Sequence, residues 1–224
     1  MTTNCRAIAL TVLLPVLALS AWAQTDDTTS KKWEADIRKF EQADSVQPPP
    51  KGAILFVGSS SIRLWETLQK DFPGYHVINR GFGGSELGDA LYFADRIILP
   101  YKPRTILVYA GDNDIANGKT PDQIFDTYKQ LVQLIHQKLP KARIGYIAIK
   151  PSIARWNLIE KIKSTNELIQ KYSGQDRLLM FIDVYTPMLG KDGNPRKELF
   201  APDGLHLNRE GYTLWKNVVG PALK

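Results

Sequence analysis

Five short apolar runs, separated by stretches of helical periodicity, constrain this chain more than any other feature. The runs are Ala53–Val57, Tyr75–Ile78, Thr105–Ala110, Arg143–Ile149 and Leu178–Val184. Each is nearly continuous in apolar character, as expected of strands buried on both faces. Between them, apolar residues recur every three or four positions. Pro121 to Leu139 carries one such stripe, through Ile124, Tyr128, Leu131, Ile135 and Leu139. Thr120 with Gln123 reads as a capping box, and Pro121 suits the first helical position. Leu158, Ile162, Ile169 and Tyr172 mark a helix near 155–172, and a last helix is expected over Arg209–Val219, capped by Asn208.

Alternating strands and helices imply βαβ units, hence an α/β fold with a parallel sheet between two helical layers. Five strands suggest a three-layer α/β/α, flavodoxin-like sheet in the order 2-1-3-4-5. In such a sheet the functional loops gather beyond the carboxyl ends of the strands. Four polar segments fall there: Gly58–Ser61, Asn79–Ser85, Gly111–Asp114 and Asp203–His206.

The first residues stand apart. Arg6 precedes an almost wholly apolar Ala7–Leu19, and Ala21-Trp22-Ala23 is an A-x-A cleavage pattern. The apolar stretch is shorter than the ~20 residues a spanning helix needs. Residues 1–23 are therefore expected to be a signal peptide, with export to the periplasm or the exterior and no stable membrane insertion afterwards. N-terminal sequencing of exported protein should begin at Gln24, and a start at Met1 would overturn this. Cleavage would remove Cys5, the only cysteine, leaving stability to packing alone. Residues 24–50 read as a polar segment, a short helix through Trp33, Ile37 and Phe40, and the stiff connector Pro48-Pro49-Pro50. Residues 51–224 are enough for one sizeable core and leave little room for a second domain. The formal charge of +6 is spread without a basic stripe, so nucleic acid is not an expected partner.

Each polar segment has a chemical and a plain reading. A serine after Gly58, where a strand gives way to a helix, can present a hydroxyl at free backbone N–H groups, or can simply cap the helix. Asn79-Arg80-Gly81-Phe82-Gly83-Gly84-Ser85 can bring backbone amides close to a ligand, or form an ordinary turn; it lacks the dinucleotide-binding spacing. Asn113 can donate to an oxyanion, or satisfy its own turn. His206 lies three residues after Asp203 in a loop, whereas His136 sits in the amphipathic helix and His76 in a strand. An imidazole so placed suits a general base oriented by a carboxylate, or a surface cap.

Taken together, Gly58-Ser59-Ser60, Gly84, Gly111-x-Asn113-Asp114 and Asp203-x-x-His206 occur in the order of the GDSL or SGNH hydrolase blocks. The chain resembles that superfamily from about residue 51 to 220. The resemblance implies Ser60 as nucleophile, His206 as base and Asp203 as its orienting acid. It also implies an oxyanion hole from the Ser60 and Gly84 N–H groups and the Asn113 side chain, with no metal or cofactor. The family commonly has Gly-Asp-Ser, whereas Ser59 stands here in the aspartate position, so Ser59 and Ser61 flank the candidate; strand–helix register favours Ser60. The expected activity is hydrolysis of short-chain, acetyl-type esters through an acyl-enzyme, with a small-molecule or polysaccharide ester such as an O-acetylated carbohydrate as substrate. A lysophospholipase- or thioesterase-like hydrolase and a non-catalytic carbohydrate-binding relative are the alternatives. Arg63, Arg80, Phe82, Arg155 and Trp156 are candidates for lining the cleft.

Overall fold

The computed structural model describes residues 30–224; the expected signal peptide lies outside the described residues. Five parallel strands, β1 (Ile54–Gly58), β2 (Val77–Gly81), β3 (Thr105–Tyr109), β4 (Arg143–Ile147) and β5 (Leu179–Ile182), form one sheet in the order β2-β1-β3-β4-β5. The expected order and the three-layer α/β/α architecture are both present.

The alternation of side chains along each strand explains the continuous apolar runs. Leu55, Val57, Ile106, Val108, Ile144 and Tyr146 point into one core, beneath helices Pro121–Lys138 and Ile159–Ser173. Ile54, Phe56, Leu107, Tyr109 and Ile147 point into the other, with Trp65, Trp215 and Tyr212 around the last helix, Arg209–Val219. At roughly 1.5–3 kcal/mol per fully buried large side chain, these two cores supply the main driving force. Thr120 and Gln123 cap their helix reciprocally, and Asn208 Oδ1 accepts the Gly211 N–H at 3.1 Å.

β4 and β5 end two residues earlier than the sequence reading, the helix expected near 155–172 runs over Ile159–Ser173, and two further differences bear on the site. β2 begins two residues late and continues through Asn79, Arg80 and Gly81, which pair with Phe56, Val57 and Gly58. An edge strand tolerates those polar residues because one of its sides is not shared with another strand. The N-terminal helix, Glu34–Val46, is longer than its apolar spacing indicated. Ion pairs hold it to the domain: Arg96 meets Glu34 at 2.7 Å and Glu41 at 2.6 Å, and Arg80 meets Asp44. Ile37 is buried, and Trp33, just before this helix, packs edge-on against Phe82 with centroids 5.9 Å apart. Short helical turns at Leu68–Asp71, Leu87–Tyr92, Ala94–Ile97 and Asp112–Ala116 carry too few residues for a stripe to show in the sequence.

Candidate active site

β1 ends at Gly58, whose φ of +139° and crowding against Tyr109 exclude a side chain: a Cβ there would lie 1.9 Å from the Tyr109 carbonyl oxygen. The chain then turns at once into the helical turn Ser60–Arg63. This sharp exit separates the three serines. The Ser59 side chain is buried and its hydroxyl has no hydrogen-bond partner. Ser61 is buried and accepts from Lys150 Nζ at 3.2 Å. Ser60 alone opens to solvent, and its Oγ lies 3.0 Å from His206 Nε2.

On its other side His206 Nδ1 is 2.6 Å from Asp203 Oδ2. Asp203 Oδ1 accepts the Leu205 and His206 N–H groups, both at 2.9 Å, so the carboxylate is held by its own loop. The His206 hydrogen bond and those two amides hold Asp203 down at about 2. Gly204, at φ +65°, makes the turn, and its carbonyl accepts the Ala154 N–H at 3.1 Å. The chain Ser60–His206–Asp203 has the contacts that let an imidazole take a hydroxyl proton while an anion orients it.

Gly84 follows β2 with φ +77°, facing the same space. Trp33 closes over it: a Cβ at Gly84 would lie 3.2 Å from the indole. Asn113, at the start of the turn after β3, donates one amide hydrogen to the Ser85 carbonyl at 2.9 Å, while its Oδ1 accepts from Arg155 at 2.9 Å. Fixed at both ends, the amide has one N–H left for a ligand. Asn79 braces the neighbouring loop, accepting from Gly81 N–H at 2.9 Å and donating to the Ile62 carbonyl at 2.7 Å. Ser60, Gly84, Asn113 and His206 line one cleft of about 490 Å³, together with Arg63, Arg155, Leu205 and Asp36.

The cleft candidates divide. Arg63 and Arg155 line the cleft. Arg80 does not: its guanidinium is committed to Asp44 and the Tyr101 hydroxyl, behind the loop. Phe82 is 1% exposed, a core residue between Trp33 and Phe93. Trp156 lines a separate groove with Ile153 and Asn194 on the far side of the Arg155 loop. In all three cases the polar loop carried a side chain that the β2 register or the loop path turns away from the cleft.

Beneath the cleft lies a buried network that sequence reasoning missed. Lys150, 1% exposed, reaches Ser61 Oγ, the Tyr109 hydroxyl at 2.9 Å and Asp112 Oδ2 at 3.0 Å. Arg155 approaches the same carboxylate at 3.3 Å. Burial pushes Asp112 upward, but Lys150 and Arg155 outweigh it and hold the group below the usual carboxylate range. Asp114 goes the other way: burial pushes it up to about 6 despite Lys119 at 3.2 Å. The only sequence signal for Lys150 is a cation closing the apolar run of β4. Among the described residues no cluster of three or more His, Cys, Asp or Glu could hold a metal ion, and no helix is long and apolar enough to cross a membrane.

Known proteins carry the same fold and sequence pattern. The family model for the GDSL-like lipase/acylhydrolase family matches residues 56–214, so the chain belongs to that family. It is similar to the platelet-activating factor acetylhydrolase IB subunit alpha1 of Bos taurus, 29% identical over 76% of this chain and 74% of that one. Its fold matches a GDSL-like lipase from Bacteroides thetaiotaomicron, with TM-score 0.74, 21% identity and coverage of 84% of this chain and 97% of that one. It also matches a catalytic mutant of an acetylxylan esterase from Geobacillus stearothermophilus, with TM-score 0.61, 14% identity and coverage of 75% and 93%.

Proposed function

We propose that this acylhydrolase-family chain is an exported serine esterase that removes short, acetyl-type acyl groups from carbohydrate esters through an acyl-enzyme. The observation that carries the reading is Ser60 Oγ at 3.0 Å from an imidazole whose other nitrogen is held by Asp203. In this reading His206 takes the Ser60 proton as Oγ attacks the ester carbonyl. The oxyanion is met by the Ser60 and Gly84 N–H groups and the free Asn113 N–H. His206 then gives the proton to the departing alcohol, and a water, deprotonated by the same imidazole, releases the acid.

The character of the cleft supports a short acyl group and a polar alcohol. Asp36, Arg63 and Arg155 line its walls, and Leu205 is the one large apolar side chain among the lining residues. A long alkyl chain laid there would strip water from charged groups without replacing their hydrogen bonds, at a cost of several kcal/mol. A sugar ring offers hydroxyls to the same groups. The acetylxylan esterase and acetylhydrolase names of similar proteins agree with acetyl removal. The Ala21-Trp22-Ala23 pattern supports export.

Turnover of a p-nitrophenyl ester series, beside acetylated sugars, tests the reading. We expect kcat/KM to be highest for acetate and to fall by about tenfold or more by the eight-carbon ester. A maximum at longer chains would move the reading to a lysophospholipase- or thioesterase-like hydrolase. No turnover of any ester at any pH would favour a non-catalytic carbohydrate-binding protein.

A further inference from the structure

Arg63 ends the same single helical turn that begins at Ser60, so its side chain and the candidate nucleophile belong to one rigid unit. Its guanidinium rests on Gly83: a Cβ at that glycine would lie 2.7 Å from Arg63 Nε and 3.2 Å from Cζ. The missing side chain is therefore what seats the cation beside Gly84, with Arg63 lining the cleft. Arg80, Arg96, Arg155 and Arg209 each pair with a carboxylate. The Arg63 side chain has no hydrogen bond and no ion pair with any described residue, and the residue is exposed.

The opposite wall adds positive charge. Lys150 and Arg155 share the one carboxylate of Asp112, which leaves a cation uncompensated there. Arg155 Nη1 is buried without a hydrogen-bond partner. Against these stands Asp36, whose carboxylate is 3.5 Å from Lys39. Asp203 opens into a different depression on the other side of the His206 loop. The cleft beside the Ser60 hydroxyl thus carries a net positive field, with one planar, five-donor cation left free to face a ligand.

We propose that Arg63 is a specificity residue that receives an anionic group on the alcohol portion of the ester, so that the preferred substrates are acidic esters. The inference rests on the esterase reading above and narrows its substrate class. An acetyl group has no place for a charge, so the anion must belong to the alcohol: a carboxylate, as on an acidic sugar, or a phosphate. Both are oxyanions that a guanidinium can grip with two parallel hydrogen bonds.

The test compares para-acetoxybenzoate, para-acetoxyphenyl phosphate and neutral methyl para-acetoxybenzoate as substrates of the mature protein, from Gln24 onward. The wild-type ratio of kcat/KM for each anionic ester to the neutral one is measured against the same ratio in Arg63→Gln and Arg63→Glu, which cancels intrinsic reactivity. We expect the ratio for the preferred anion to fall by about tenfold in Arg63→Gln and further in Arg63→Glu, since a charge-assisted hydrogen bond is at stake. Which of the two anions shows the larger fall identifies the source. Raising the salt to 0.5 M should compress the wild-type ratio toward that of Arg63→Gln, at ~4 Å screening length. Ratios that are equal in all three proteins overturn the proposal, while turnover of the neutral ester leaves the esterase reading standing. If none of the esters turns over, the esterase reading fails by itself, and binding decides the subsite. Calorimetric titration with the non-hydrolysable para-acetamidobenzoate and its methyl ester should then show an anion preference lost in Arg63→Gln, and no preference would overturn the proposal.

Discussion

Ser60→Ala is expected to lower kcat on a short acyl ester by about 10⁵–10⁶-fold while leaving the thermal melt within about 2 °C of wild type. The first figure follows from removing the proposed nucleophile, whose proton transfer, attack and acyl-enzyme are all lost at once. The second follows from the surroundings of the side chain. Ser60 Oγ has one hydrogen bond, to an imidazole that is itself 30% exposed and can turn to water. Asn113→Ala should cost less in rate, about 10²–10³-fold, because one of the three proposed oxyanion donors is removed. It should cost more in stability, since the Ser85 carbonyl loses its donor and Arg155 loses an acceptor. Burst kinetics with p-nitrophenyl acetate and a serine-directed phosphonate read both effects, and the covalent label should map to Ser60. Label on Ser59 or Ser61, or a Ser60→Ala protein keeping most of its activity, would sink the assignment. The buried positions of those two hydroxyls argue against the first outcome.

The second large effect is on stability. Lys150→Met is expected to destabilise the domain by about 3 kcal/mol, a fall of about 6–12 °C in Tm for a chain of this size. The methionine fits the space of the lysine stem, so the loss is electrostatic rather than steric. Asp112 would remain 5% exposed with only the Tyr109 hydroxyl and the longer Arg155 contact, and Ser61 Oγ would lose its donor. Replacing both partners, Lys150→Met with Asp112→Asn, should recover part of the loss, because the fully buried carboxylate is no longer charged and only the part-exposed Arg155 loses an ionic partner. Guanidinium denaturation of the single and double variants separates these outcomes. A single variant within 1 kcal/mol of wild type would show that water or a shifted Arg155 compensates Asp112, contrary to the packed geometry.

Several local features were readable in advance because they depend on near neighbours in the chain. The Thr120–Gln123 capping box involves residues three apart, and Asn208 caps the turn that immediately follows it. The apolar runs required two-sided burial, and two-sided burial with intervening helices leads to the parallel pairing that is observed. The triad candidates were readable only through the family-like ordering of blocks, since Ser60 and His206 are 146 residues apart. Arg80 and Phe82 were misplaced because a glycine-rich loop gives no sign of which side chains face inward. The register of β2 against β1 decides that, and it sends Arg80 to Asp44 and Phe82 to Trp33.

Composition and periodicity alone determined the layers and the edge of the sheet where chemistry could gather, because both follow from hydrophobic burial repeated at a fixed spacing; they suggested the strand order without fixing it. Tertiary structure alone decided which of three adjacent serines meets the imidazole, and that a lysine can be buried under them. It also decided that the N-terminal helix forms a wall of the cleft. The physical reason is that burying a charge or aligning a proton path needs partners from separate elements within about 3 Å. No local pattern records where such partners converge.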